Sequence, residues 1–224
     1  MSTTEGFAAR LRQQTQAAHA HAEEAPFVDD LLSGRLDRGA HVAMLAQHHC
    51  VYAVLEQAWH AHRDDPVVAP FLDDALRRLP SIEADLEHLA GPRWRDAVPP
   101  TAATRRYAER LRAVAFDWPG GFVAHHYLRY LGDLSGGQVV RRLLERVYGA
   151  PASGEGLRTH AFPGIDGPKP FRDRYRAMLD AAPWSRGEQD RIAAEVAHGY
   201  RLNRELFDDL HAASARWRTA PPPS

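Results

Sequence analysis

Between His125 and Gln138 the chain reads His-His-Tyr-Leu-Arg-Tyr-Leu-Gly-Asp-Leu-Ser-Gly-Gly-Gln, with helical apolar spacing on both sides. A glycine inside a helix costs about 1 kcal/mol relative to alanine. Three of them, Gly132, Gly136 and Gly137, therefore mark either a break between two helices or a backbone that something must approach closely. On a continuous or kinked helix, Arg129, Gly132, Asp133, Gly136 and Gly137 recur at three- and four-residue spacings and share one face. That face lacks bulk at the glycines and carries one acid beside one base. A flat ligand could lie directly against it, and the helix could bend there. A phosphate-binding loop, another glycine-rich device, needs a preceding strand and a Lys-Ser/Thr pair, and the segment has neither.

A second set lies near the N-terminus. His19 falls on or beside the stripe of Phe7, Leu11, Ala18 and Ala22, so its imidazole could point inward as a metal ligand, although most histidines on such a face are core or half-exposed residues. Glu23, one turn on, is placed to orient the ring through its second nitrogen, as carboxylates do behind metal-bound histidines. Arg12 sits two turns back on nearly the same face, roughly 10 Å along the axis. One helix could thus set a metal ligand at the middle of a planar macrocycle and a cation near its acidic edge. His21 points about 200° away and reads as solvated. Arg172 and Arg176, four apart with Arg174 opposite, form either a solvated charged face or a two-pronged clamp for carboxylates. Cys50 cannot join His48 and His49 on one ion, because adjacent helical residues diverge by about 100°; it reads as a buried small apolar residue.

The elements that must position these residues are helices throughout. Apolar periodicity predicts helices over about 5–24, from an Asp37 N-cap to near Asp64-Asp65-Pro66, and over 73–90, 102–116, 120–148, 170–181 and 186–214. Ser185-Arg-Gly-Glu188 reads as a capping box for the last, and Pro26 marks the end of the first. Strand alternation is missing and connections are short, so we expect one all-α domain over 1–216 with a frayed tail at 217–224. The 224 residues carry 28 Lys+Arg against 29 Asp+Glu, a net charge of −1 that argues against a nucleic-acid partner. A single cysteine excludes an intrachain disulfide and points to a reducing, cytoplasmic setting. No run reaches the roughly 18 apolar residues needed to span a bilayer, and the N-terminus lacks the apolar core of a signal peptide, so no membrane partner is expected. Lys169 is the sole lysine, and 13 histidines raise the question of a metal.

Tyr130-Leu-Gly-Asp-Leu-Ser-Gly-Gly-Gln138 resembles the signature of the haem oxygenase family. The resemblance runs across nearly the whole chain, through Leu11-Arg-Gln-Gln-Thr15, His19, Ala22-Glu23, Gly91-Pro-Arg-Trp94, Ser153-Gly-Glu-Gly-Leu157, Phe162-Pro163 and Asn203. It implies haem b as both substrate and cofactor, held between a proximal helix and a kinked distal helix, with O2 as co-substrate and biliverdin, carbon monoxide and ferrous iron as products. By match, His19 is the axial ligand and Glu23 its outer partner. Gly132, Gly136 and Gly137 let the distal helix press on the porphyrin. Asp133 anchors a water network serving the bound oxygen, with Tyr52, Arg129 and Asn203 as further members. Arg12, Arg172 and Arg176 match the positions that hold the propionates.

The chain departs from its relatives in having arginine at positions 12 and 172, often lysine elsewhere, and Leu128 where several have a small hydroxyl residue. The hydrophobic C-terminal anchor of the animal enzymes is absent, which resembles the soluble bacterial type. Electrons would come from a ferredoxin or flavoprotein reductase docking on basic patches around the haem edge, a monomer is expected, and the purpose would be iron acquisition or bilin supply. A haem carrier or sensor that does not degrade its ligand gives no reason for Asp133 beside glycines. A di-iron bundle needs two Glu-x-x-His units, and only Glu195-Val-Ala-His198 has that spacing.

Overall fold

Helix α3, Arg38–Ala61, is opened by Asp37, whose carboxylate accepts a hydrogen bond from the Gly39 N–H at 2.8 Å. Its residues from Ala40 to His48 are all buried, as are Val51, Tyr52, Val54, Leu55 and Trp59. A helix apolar nearly all round belongs at the centre of a core, and α4 (Leu79–Ala90) and α6 (Ala102–Val114) pack on it. Helix α10, Arg186–Ala212, is the second axis, in contact with α1 (Phe7–Glu23), α2 (Pro26–Leu32), α6 and α7 (Pro119–His126). Ser185 caps α10 by accepting from the Glu188 N–H at 3.2 Å. The reciprocal half of the expected capping box is missing, because the Glu188 carboxylate accepts from the Trp118 indole instead. The structure, a computed structural model, describes residues 5–149 and 154–219; among these there are ten α-helices and no strand.

The differences from expectation are local. Pro26 does end the first helix, but it also serves as the first residue of α2, where its missing N–H costs nothing. The segment before Leu79 forms only short 3-10 turns, and Trp94–Ala97 adds a one-turn α5. Trp217 and Thr219 do not fray: the Asp37 N–H donates to the Trp217 carbonyl at 2.8 Å and the Thr219 N–H donates to the Arg35 carbonyl at 3.1 Å. Residues 220–224 and Ser153 lie outside the described residues.

The glycine-bearing segment is one helix, not two. Helix α7 runs without a break through a π-helical turn, Tyr127–Leu131, into α8, Gly132–Tyr148, and Gly149 at φ +60° ends it. Helix α9, Pro168–Ala181, packs on α1. Among the described residues no helix is long and apolar enough to cross a membrane.

Candidate functional site

The wide turn at Tyr127–Leu131 delivers the glycines where the helix changes pitch. At Gly132 and Gly136 a Cβ would meet nothing within 4 Å among the described residues. These two therefore leave a bare strip of backbone facing open space. Gly137 does not join them. It is buried, and a Cβ on it would come within 3.1 Å of the His160 carbonyl oxygen, so its bareness serves a close backbone approach on another side of the helix. The sequence placed all three on one face, but the step from 136 to 137 is about 100°, and the structure spends it on His160. Val139, three residues after Gly136, is 51% exposed, the one large apolar side chain so exposed among the described residues. It extends the bare strip as an apolar wall. Its spacing of seven from Gly132 was the available signal.

Asp133, half-buried beside the strip, accepts a hydrogen bond from the Tyr52 hydroxyl of α3. Burial pushes the Tyr52 phenol well up, and the neighbouring Asp133 pushes it further, so the phenol stays protonated and donates. Arg129 is buried, its Nη1 donates to Asn203 Oδ1 at 2.7 Å, and its guanidinium lies 5.0 Å from the Tyr52 ring centre. Burial works against that charge, but Tyr52 and Asp133 outweigh it and the guanidinium pKa rises. Its Nε and Nη2 find no partner among the described residues. The four residues expected to act together, Tyr52, Arg129, Asp133 and Asn203, are thus joined in two bonded pairs around one phenol ring. Tyr107 and Tyr130 add buried hydroxyls with no partner among the described residues. Nothing local in the sequence shows that either hydroxyl is left over.

On the other side, His19 does not point into the core. Its side chain is 45% exposed, with Nδ1 3.4 Å from Glu23 Oε2 and the ring edge-on to Tyr200 at 5.1 Å. Glu23 thus engages one nitrogen and leaves Nε2 for a ligand. Burial raises the Tyr200 phenol, and the neighbouring Tyr127 and Glu23 raise it further, so Tyr200 lies between the His19 side and the glycine side. Arg12 is exposed, and Arg176 and Arg12 both act on the Tyr127 hydroxyl, though burial dominates it. The arginine pair on α9 is not closed as a clamp: Arg172 Nη1 donates to Ser135 Oγ of α8 at 2.9 Å, while Arg176 pairs with Asp173 at 3.0 Å. Arg174 lies 5.3 Å over the Phe171 ring, away from both. Leu128 is buried against Gly199 of α10, where a Cβ would come within 2.9 Å, and so faces away from the strip.

Other metal chemistry fits poorly. Among the described residues no three His, Cys, Asp or Glu side chains are grouped to hold an ion. Glu195 is taken by Arg110 and by His125 Nε2, at 3.0 Å from the latter, so it does not converge with His198 on iron. Cys50 is half-buried rather than buried. A lone histidine suits a metal whose other ligands come from a macrocycle.

Known proteins are similar to this chain in sequence and fold. The family model described as Heme oxygenase matches residues 5–209. "Heme oxygenase 1" of Rattus norvegicus is 34% identical over 94% of this chain and 73% of its own length. The structure of heme oxygenase-1 from the cyanobacterium Synechocystis sp. PCC6803, solved in complex with heme, superposes with a TM-score of 0.88 at 30% identity, covering 95% of each chain. The heme oxygenase of Leptospira interrogans gives a TM-score of 0.85 at 30% identity, over 91% of this chain and 98% of that one. With the family match spanning His19, Gly132, Asp133 and Gly136, the chain belongs to the haem oxygenase family.

Proposed function

We propose that the chain cleaves haem b with O2 and electrons to biliverdin, carbon monoxide and ferrous iron, with His19, Glu23, Arg12, Tyr52, Arg129, Gly132, Asp133, Gly136, Gly137, Arg172, Arg176 and Asn203 as the residues that take part. The observation that carries this reading is Asp133, held by the Tyr52 hydroxyl next to the open backbone of Gly132 and Gly136. When bound, haem supplies both the iron at which O2 is reduced and the ring that is oxidised.

The residues of the chain do the rest. His19 offers Nε2 to the iron while Glu23 holds Nδ1 and so sets the ring's orientation. Gly132 and Gly136 leave room for the macrocycle to lie on the helix backbone, and Gly137 anchors that helix to the turn at His160. Asp133 accepts and passes protons through water, with Tyr52 fixing one of its oxygens. Arg129, held by Asn203, keeps a positive charge beside the Tyr52–Asp133 pair. Arg12, Arg172 and Arg176 offer cations for two propionates; Arg172 must exchange or share its bond to Ser135 to do so. The same arginines offer an acidic ferredoxin or a flavoprotein reductase a docking edge. The chain works as a monomer, cutting the α bridge by resemblance.

A non-degrading carrier would need the axial histidine but not an oriented acid facing a bare helix. Haem and a reductant added under air separate the two. We expect the Soret band to form and decay as bilin absorption grows; a Soret band that persists unchanged would reject cleavage.

A further inference from the structure

His41 and His48 lie seven residues apart on α3, two turns along one face, and both are buried. His160, at the end of the 3-10 turn Arg158–His160, stacks on His41 with ring centroids 5.8 Å apart and planes 23° apart. That turn is firmly held. Asp85 accepts from the Arg158 N–H at 2.9 Å, the Thr159 N–H at 2.8 Å and the Thr159 hydroxyl at 2.7 Å. Arg78 donates to the Thr159 and Ala161 carbonyls, and the bare Gly137 lets the His160 backbone reach the distal helix.

Neither ring nitrogen of His41, nor Nε2 of His48, nor Nε2 of His160 meets a partner among the described residues. Leucine or phenylalanine would fill such positions without cost, whereas an orphaned buried donor or acceptor costs about 1–3 kcal/mol unless water completes its bonds. The outer end of the row, though His41 itself is buried, lies against a surface recess. His41 lines a surface recess of about 30 Å³ with Arg38, Tyr148 and Gly156, and a water needs roughly 10–15 Å³ of such space. At the inner end, the fields reach the acid site: Arg129 acts on His48 and Asp133 acts on His160, each second to burial. Burial also holds His41 down to about 3, so the row is neutral at pH 7. A neutral imidazole donates from one nitrogen and accepts at the other, the property a relay requires.

We propose that His41, His48 and His160, bridged by water, form a proton inlet from the recess beside Tyr148 to the Asp133–Tyr52 pair. The proposal rests on the haem-cleaving reading, because reduction of O2 to water takes up protons, and this route would supply them away from the edge where electrons enter. The three histidines act through Asp133 and are positioning residues, not catalytic ones.

Long-range 15N–1H spectra of 15N-histidine-labelled protein in its diamagnetic ferrous carbonyl form test the path without turnover. We expect three neutral imidazoles whose ring protons exchange with bulk water; rings of all three histidines shielded from water would overturn the inlet. In turnover, His41→Phe and His160→Phe should bind haem as the parent does but form bilin about tenfold more slowly, with recovery on adding imidazole as a small proton carrier. His160→Gln, which keeps a polar group in place for folding, should be as slow as His160→Phe, because an amide does not relay by tautomer exchange. Parental rates in all three variants would overturn the proposal. A parent chain that binds haem and makes no bilin would instead overturn the haem-cleaving reading, before any variant is made.

Discussion

The Tyr52 hydroxyl, midway along α3, donates to Oδ2 of Asp133 on the first turn of α8. This bond joins the buried axis of the core to the exposed strip of the distal helix, so the acid is aimed by an element that cannot easily move. Asp133→Ala should retain haem binding yet lower bilin yield by about a hundredfold, the low end of what a placed acid or base contributes, and divert turnover to peroxidase-like oxidation of an added phenol. Tyr52→Phe removes one bond of about 0.5–1.5 kcal/mol and should cost only about three- to tenfold. The measurement is bilin formed per haem against phenol oxidised; normal bilin yield from Asp133→Ala would sink the assignment.

His19 and Glu23 make the complementary case. With Glu23 beside Nδ1, Nε2 is the nitrogen left to act as the proposed ligand. His19→Ala should lose turnover and regain it with added imidazole, whereas Glu23→Gln should keep the axial bond but lose about ten- to a hundredfold in haem affinity or rate. Ferric absorption spectra decide: an unaltered spectrum in His19→Ala would remove His19 from the iron.

The three distal glycines should separate under one experiment. Alanine at 132 or 136 meets open space among the described residues, so each should raise the stability of the haem-free chain by up to about 1 kcal/mol while weakening haem binding. Alanine at 137 presses on the backbone oxygen of His160 at 3.1 Å and should destabilise the haem-free chain instead. Thermal unfolding of the three apo variants checks the sign; identical shifts would show that Gly137 shares the face of the other two.

What could be read from sequence followed how far each signal reaches. The Asp37 and Ser185 caps are set by residues two or three positions away and both form, whereas the Glu188 half of the expected capping box is lost to the distant Trp118. The all-α class follows from periodicity for the same reason. Short α2 and α5 were missed, since seven and four residues give too few turns for a period. Gly137 was assigned to the wrong face because its partner, the His160 carbonyl, arrives from a distant turn. The leftover hydroxyls of Tyr107 and Tyr130, and the Arg172–Ser135 bond, likewise depend on packing between segments far apart in the chain. The histidine count raised the question of a metal, and only packing shows that His160 stacks on His41.

Buried neutral histidines make the protein acid-labile in a defined window. Burial holds His126 at about 3, and His41 at about 3 with help from His160, against an ordinary value of 6.5. Above pH 6.5 both states of each residue are neutral and the stability is fully present. As pH falls below 6.5 the unfolded chain takes up these protons and the folded chain does not, so each residue removes about 1.4 kcal/mol per pH unit down to its folded value. Glu195 adds a second, lower window. Burial raises its pKa, but the bonds from His125 and Arg110 outweigh that and hold it at about 2, so its contribution is lost between about 4.5 and 2. Urea midpoints at pH 7, 6, 5 and 4 should therefore begin to fall near pH 6.5. His126→Phe, which keeps a ring stacked on Tyr175 but gives up the bond to its hydroxyl, should be less stable at pH 7 and show a shallower decline, by about one proton, below pH 6.5. A parent chain of constant stability from pH 6.5 to 4.5 would contradict the buried neutral histidines.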